Sequence, residues 1–293
     1  MKRYEFIAKE VADRLGEEYT VKYVSVKKNN GVELEGFTVR KSDSNIAPTI
    51  YFNPEDTDDE IIEHILKSYD EAGLPTEFNQ IDFTNWDWAK DRIYPTLYNK
   101  GLNDYEELVT RDFCSDLGIY YRVFVTNSTI GMGTVKITRE LAKTWNVTEY
   151  DLYKSAMENL DKVVTIQNVV TVMDNMMSGI DEPKERTIEI DNSLSPLHVI
   201  SGIYKTNDAS AILLIPELIK NEELEDKDYI IIPSSIHECL LLDREEGESG
   251  MNADILKAMI TDVNGTQLGK QDVLANHPFI YKADEKIFDE YVA

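Results

Sequence analysis

Three short constellations in this chain of 293 residues carry side chains that could do chemistry. The first is Pro233-Ser234-Ser235-Ile236-His237-Glu238, inside the run 229–242 (YIIIPSSIHECLLL), which also holds Cys239. A serine hydroxyl with a histidine base would make this segment the centre of a hydrolase or transferase, with Ser234 or Ser235 as nucleophile and His237 as base. Such a pair is defined by geometry, however, and not by nearness along the chain. The same residues suit a turn, because proline withholds a ladder donor and serine hydroxyls bond their own backbone. The residue types favour the turn, and no catalytic residue is assigned. A strand over 236–240 would place Ile236, Glu238 and Leu240 on one face and His237 with Cys239 on the other.

The second constellation is Glu60 with His64, four apart on one helix face. Both could reach a cation, but a zinc site takes three or four protein ligands, and no HExxH pattern or matching second pair accompanies them. No metal and no cofactor is implied. The third is acidic: the run 55–63, and Glu217, Glu222, Glu223, Glu225, Asp226 and Asp228 within 217–228. Such runs are most simply solvated helix faces. Alternatively they present a negative surface to a basic partner, which would make association fast and salt-sensitive. Gly131-Met132-Gly133 lacks the Gly-Lys-Ser/Thr of a phosphate loop.

Composition narrows the choices. Thirty Lys and Arg against 55 Asp and Glu give a formal net charge of −25. That field repels phosphate backbones, so direct binding of nucleic acid is not expected. A hydrophobic fraction of 42 % argues for a packed core despite the charge. The N-terminal stretch interleaves charges through every turn, unlike a secretory signal, and no later run is long and apolar enough for a membrane span. Two cysteines, Cys114 and Cys239, are too few for a disulfide framework and point to the reducing cytoplasm.

The elements that must position these residues follow from periodicity. Ile7, Val11 and Leu15 keep helical spacing, with Gly16 as a stop. Residues 19–26 and 32–39 form a hairpin through Asn30-Gly31, and 45–52 add a third strand. Thr57-Asp58-Asp59-Glu60 is a capping box opening a helix that turns Ile61, Ile62 and Ile65 inward and stops at Gly73 and Pro75. Residues 74–116 are rich in aromatics (Trp86, Trp88, Tyr94, Tyr98, Tyr105) and read as connecting helices glued to the core, with Pro95 breaking one through 90–98. An alternative makes 86–105 the platform of a small-ligand sensor. Residues 117–125 are a strand, 139–145 a helix, and Thr148 caps the next helix. Residues 163–177 fit strand or helix, and the methionines favour a helix ending at Gly179. Polar 180–196 is a candidate linker. Strands over 197–204 and 279–281 and a helix from Pro216 to about Leu224 follow. A last helix, after the acidic loop 243–250, places Ile255, Leu256, Met259 and Ile260 inward.

Laid out this way, the chain resembles a family of uncharacterised bacterial proteins, a domain of unknown function common in anaerobic Firmicutes and often found among genes of conjugative elements and phages. The hairpin KKNNGVELEGFTVR, then NIAPTIYFN, DLGIYYRVFV and above all YIIIPSSIHECLLL carry the resemblance. It implies a bacterial cytosol and mobile-element biology, and no activity. Residues 163–195 resemble the family least. The expected fold is α+β, in two packed lobes (1–110 and 111–293), each with a mostly antiparallel or mixed sheet flanked by helices. The expected function is a non-enzymatic interaction or regulatory protein with a basic, nucleic-acid-handling partner.

Overall fold

A computed structural model describes residues 2–44, 47–72, 82–128, 131–180, 183–245 and 252–292. The protein is α+β, with several sheets flanked by helices. Its contacts gather residues 1–83 and 126–133 into one compact unit, and 84–125 with 134–293 into another.

The first unit is built from α1 (Lys2–Leu15), β1 (Tyr19–Lys27), β2 (Glu33–Lys41), β3 (Thr49–Tyr51) and α2 (Asp58–Ala72), the strands forming an antiparallel sheet in the order β1-β2-β3. Ile7 and Val11 of α1 and Ile61, Ile62 and Ile65 of α2 close on Phe37, Val39 and Ile50. Asn30 and Gly31, at φ 57° and 68°, supply the left-handed backbone that the hairpin turn needs. The capping box forms: the Thr57 amide and hydroxyl donate to the Glu60 carboxylate at 2.9 and 2.7 Å, and the Glu60 amide donates back to Thr57 Oγ1 at 3.3 Å. The expected stop at Gly73 and Pro75 lies outside the described residues, as does most of the acidic loop 243–250.

Beyond residue 83 come α3 (Trp86–Ala89), β4 (Ile93–Asn99), β5 (Thr110–Cys114), β6 (Leu117–Ser128), β7 (Gly131–Lys136), α4 (Arg139–Trp145) and α5 (Glu149–Asp161). They are followed by β8 (Val164–Asn168), α6 (Val169–Ser178), β9 (Thr187–Ile188), β10 (Leu197–Gly202), α7 (Ile215–Lys220), β11 (Tyr229–Pro233), β12 (Cys239–Asp243), α8 (Ala253–Thr266), β13 (Phe279–Lys282) and β14 (Ile287–Glu290). One sheet runs β4-β6-β5, with β7 on β6, and a larger one runs β14-β13-β11-β12-β10-β8-β9. The larger sheet is mixed: β8 and β9 pair in parallel and its other neighbours pair antiparallel. Leu152, Ala156 and Leu160 of α5 join Ile93, Leu97, Ile119 and Val123 in the main core.

Several expectations change. Residues 93–99 form a fully buried strand, β4, and not a helix. Pro95 is tolerated because β4 ends its sheet, where a missing amide costs no ladder bond. The ambiguous 163–177 is a strand and then a helix, divided at Asn168. The Asn168 Oδ1 accepts the Val170 amide at 3.0 Å to cap α6, while its Nδ2 donates to the carbonyls of Asp191 and Ser195 at 2.6 and 2.8 Å. Residues 180–196, expected as a linker, contain β9 and lie within the second unit. In α8, Leu256 and Ile260 are buried as expected, but Ile255 and Met259 are 46 and 54 % exposed. A 14-residue helix lying on one sheet face covers only the narrower stripe.

Candidate functional site

The 229–242 segment folds as a hairpin, β11 against β12, with Pro233 opposite Cys239. The strand expected over 236–240 begins only at Cys239, so Ile236, His237 and Glu238 belong to the connecting turn. Three neighbours fasten that turn. The Ile236 amide donates to the Asp272 carbonyl at 2.8 Å, the Ala209 amide donates to the Ile236 carbonyl at 3.2 Å, and Ser201 Oγ donates to the His237 carbonyl at 2.9 Å.

Ser235 Oγ accepts the His237 amide at 3.0 Å, a local side-chain turn of the sort serines favour. Ser234 Oγ lies 3.4 Å from the Glu238 carboxylate, to which it donates. The His237 ring faces elsewhere. Its Nδ1 accepts the Asn207 amide at 3.0 Å, and its Nε2 sits 3.6 Å from Asp272 Oδ1. An Nδ1 that accepts leaves the neutral ring's proton on Nε2, aimed at Asp272. Among the described residues, neither serine hydroxyl bonds the ring. The structure therefore brings Ser234, Ser235 and His237 into one turn, with their polar atoms spent on shaping it.

Behind the turn lies a pair not singled out in the sequence. Arg122 of β6 and Asp208 are both buried, with Nη2 3.4 Å from Oδ1, and Nη2 also donates to the Thr206 carbonyl. Arg122 Nε and Nη1 have no hydrogen-bond partner among the described residues. The guanidinium lies over Phe124, which packs with Tyr94 and Tyr204. Burial lowers the Arg122 pKa and raises that of Asp208, each shift opposed by the partner's charge. Gly202 makes room for the acid: a Cβ there would meet the Asp208 carboxylate at 2.8 Å. The clue was in LGIYYRVFV, where a single charged residue interrupts an apolar strand. Asn207 then links the pair to the turn, because its amide is the one that binds His237.

The other candidates are likewise engaged by the fold. His64 Nε2 lies 3.0 Å from the Tyr51 carbonyl, and Glu60 closes the capping box, so the two do not converge. Among the described residues no three His, Cys, Asp or Glu side chains cluster as metal ligands would. Both cysteines are buried; burial pushes the Cys114 thiol up to about 12 and raises that of Cys239, which makes both poor nucleophiles. Of the acidic run, Glu223 pairs with Arg186 at 2.7 Å, Asp228 with Arg244 at 2.9 Å and Glu225 with Lys227 at 2.6 Å. Glu217, Glu222, Glu225 and Asp226 are exposed. Among the described residues no helix is long and apolar enough to cross a membrane.

The fold is that of an α+β protein in which the 233–238 segment forms a hairpin turn held by Asp272, Ala209 and Ser201. The chain belongs to a family of unknown function, DUF5688, whose family model matches residues 3–283. No curated protein and no solved structure matches it.

Proposed function

We propose that the protein is a non-catalytic interaction or regulatory protein of the bacterial cytoplasm that engages a basic, nucleic-acid-handling protein through its negative surface, in a mobile-element setting. The observation that carries this reading is the formal charge of −25. Support comes from the exposed carboxylates of Glu217, Glu222, Glu225 and Asp226, and from a serine–histidine turn in which Ser235 and the His237 ring accept backbone amides and Ser234 donates to Glu238. Charge of this kind steers encounter and is screened over a Debye length of about 8 Å at physiological salt. Immobilised protein challenged with host lysate should retain basic nucleic-acid-handling proteins at low salt and release them as salt rises. Retention of nothing, or salt-insensitive retention alone, removes the reading.

A second reading, a small-ligand sensor, rests on a groove of about 380 Å³ lined by Trp86, Trp145, Lys90, Asp151, Lys154 and Glu158. Its two indole rings lie 5.6 Å apart. Thermal unfolding in the presence of nucleotides and metabolites tests it, since a ligand that binds only the folded chain raises the midpoint.

A further inference from the structure

The outer face of α6 is apolar where a solvent-facing helix should be polar. Met173, Met176 and Met177 are 56, 69 and 77 % exposed, Ile180 lies exposed just past the Gly179 stop, and no residue of α6 is buried. Six of the sixteen large apolar side chains exposed among the described residues fall between 173 and 194, the other two in this stretch being Ile190 and Leu194. Asn168 ties this loop to α6, because its side chain caps the helix and also binds the carbonyls of Asp191 and Ser195. A concentrated apolar patch on a chain with so much charge marks a contact surface. Methionines suit it, since an unbranched thioether adapts to irregular partner shapes.

The patch also has charged neighbours along the chain. In the same stretch Asp174, Glu185, Glu189 and Asp191 are exposed, outnumbering the exposed cation Lys184, while Arg186 is taken up by Asp161 and Glu223. We infer that α6 and residues 183–194 form a docking face for a basic amphipathic helix, its apolar stripe against the methionines and its lysines or arginines against the carboxylates. Met173, Met176 and Met177 lie at i, i+3 and i+4 and so share one face of α6, on which the apolar stripe of such a helix can pack. This inference rests on the reading of a basic partner and adds where that partner binds and in what form.

The test uses the full chain carrying 13C-methyl methionine and three peptides of about 18 residues, long enough for helix to form on contact. One is a lysine–leucine amphipath, one has the same composition scrambled, and one replaces every lysine by glutamate. The amphipath should shift the methyl signals of Met173, Met176 and Met177, the scrambled peptide should leave them in place, and the acidic peptide should not bind. Met176→Gln with Met177→Gln should weaken the amphipath about tenfold and leave the scrambled peptide's salt-sensitive binding unchanged. If both basic peptides bind equally while these methyls stay still, the docking face is wrong and the charge reading survives. If neither basic peptide binds at low salt, the charge reading falls and takes this inference with it. Shifts of the same methyls on raising protein concentration alone, or on adding phosphatidylcholine vesicles, would instead assign the face to a second copy or to a bilayer and overturn the proposal.

Discussion

Two helices flank β8 in the chain, and they use their apolar residues in opposite ways. α5, before the strand, buries Leu152, Ala156 and Leu160, and its Asn159 donates to the carbonyls of Lys90 and Ile93 at 2.8 and 3.0 Å. α6, after the strand, buries nothing and turns three methionines to solvent. Apolar rhythm states that a helix has a greasy face. Whether that face meets a core or awaits a partner depends on which strands lie beneath it. α5 lies against β4 and the segment around Asp208, while α6 touches β8 and β10 through its inner side.

The sharpest break of this contrast lies on the α5 side. Asp208→Ala strands the buried Arg122 charge and should cost about 3–5 kcal/mol in urea unfolding. Adding Arg122→Met should recover most of that loss; a double variant no better than the single would show that Asp208 acts by packing alone. Leu160→Ala comes next, at about 2–5 kcal/mol, since a fully buried side chain leaves a cavity. Thr148→Ala removes the α5 cap, whose hydroxyl accepts the Asp151 amide at 3.3 Å, and should lower stability by about 1 kcal/mol.

A smaller effect is read by pH. His277 Nε2 lies 3.2 Å from Asp116 Oδ1, and that hydrogen bond raises the His277 pKa against the opposing effect of burial. Burial pushes the Asp116 pKa up, but His277 and Asn99 outweigh it and the carboxyl titrates below its usual range. A raised histidine stabilises fully below its ordinary value and loses the contribution as pH rises through its folded value. A lowered carboxyl stabilises above its ordinary value and loses it as pH falls. The pair therefore contributes most between about pH 4 and 6.5. His277→Gln should remove about 0.5 kcal/mol there, little because Asp116 is partly exposed, and should flatten the stability profile above neutrality. An unchanged pH profile would show that the pair is not coupled to folding. Smallest of all, Met176→Gln should alter stability by no more than about 0.5 kcal/mol, as expected of a side chain that the fold leaves outside. A loss near that of Leu160→Ala would erase the distinction between the two helices.

Local signals were legible wherever a few neighbouring residues settle the backbone. The Thr57–Glu60 and Thr148 caps, the Asn30-Gly31 turn and the Gly179 stop all form as their residue types dictate. Pro233-Ser234-Ser235 reads as a turn and is one. Misreadings arose where sheet membership outranks local preference: 93–99 carries a proline yet is a strand because it lies at a sheet end, and 163–177 changes from strand to helix at a single asparagine. Periodicity places Ile255 and Met259 inward because it cannot say how wide a stripe the sheet will cover.

By itself, the sequence determined the charge, the helix caps, the tight turns and the α+β alternation, since each depends on residue identity or on contacts within a few positions. Only the tertiary structure decided that Arg122 meets Asp208 across 86 positions, that Asn207 occupies the His237 ring, and that α6 keeps its methionines outside. Those outcomes depend on which strands become neighbours, and strand neighbours are chosen by the whole hydrophobic pattern acting at once, at separations where no local preference operates.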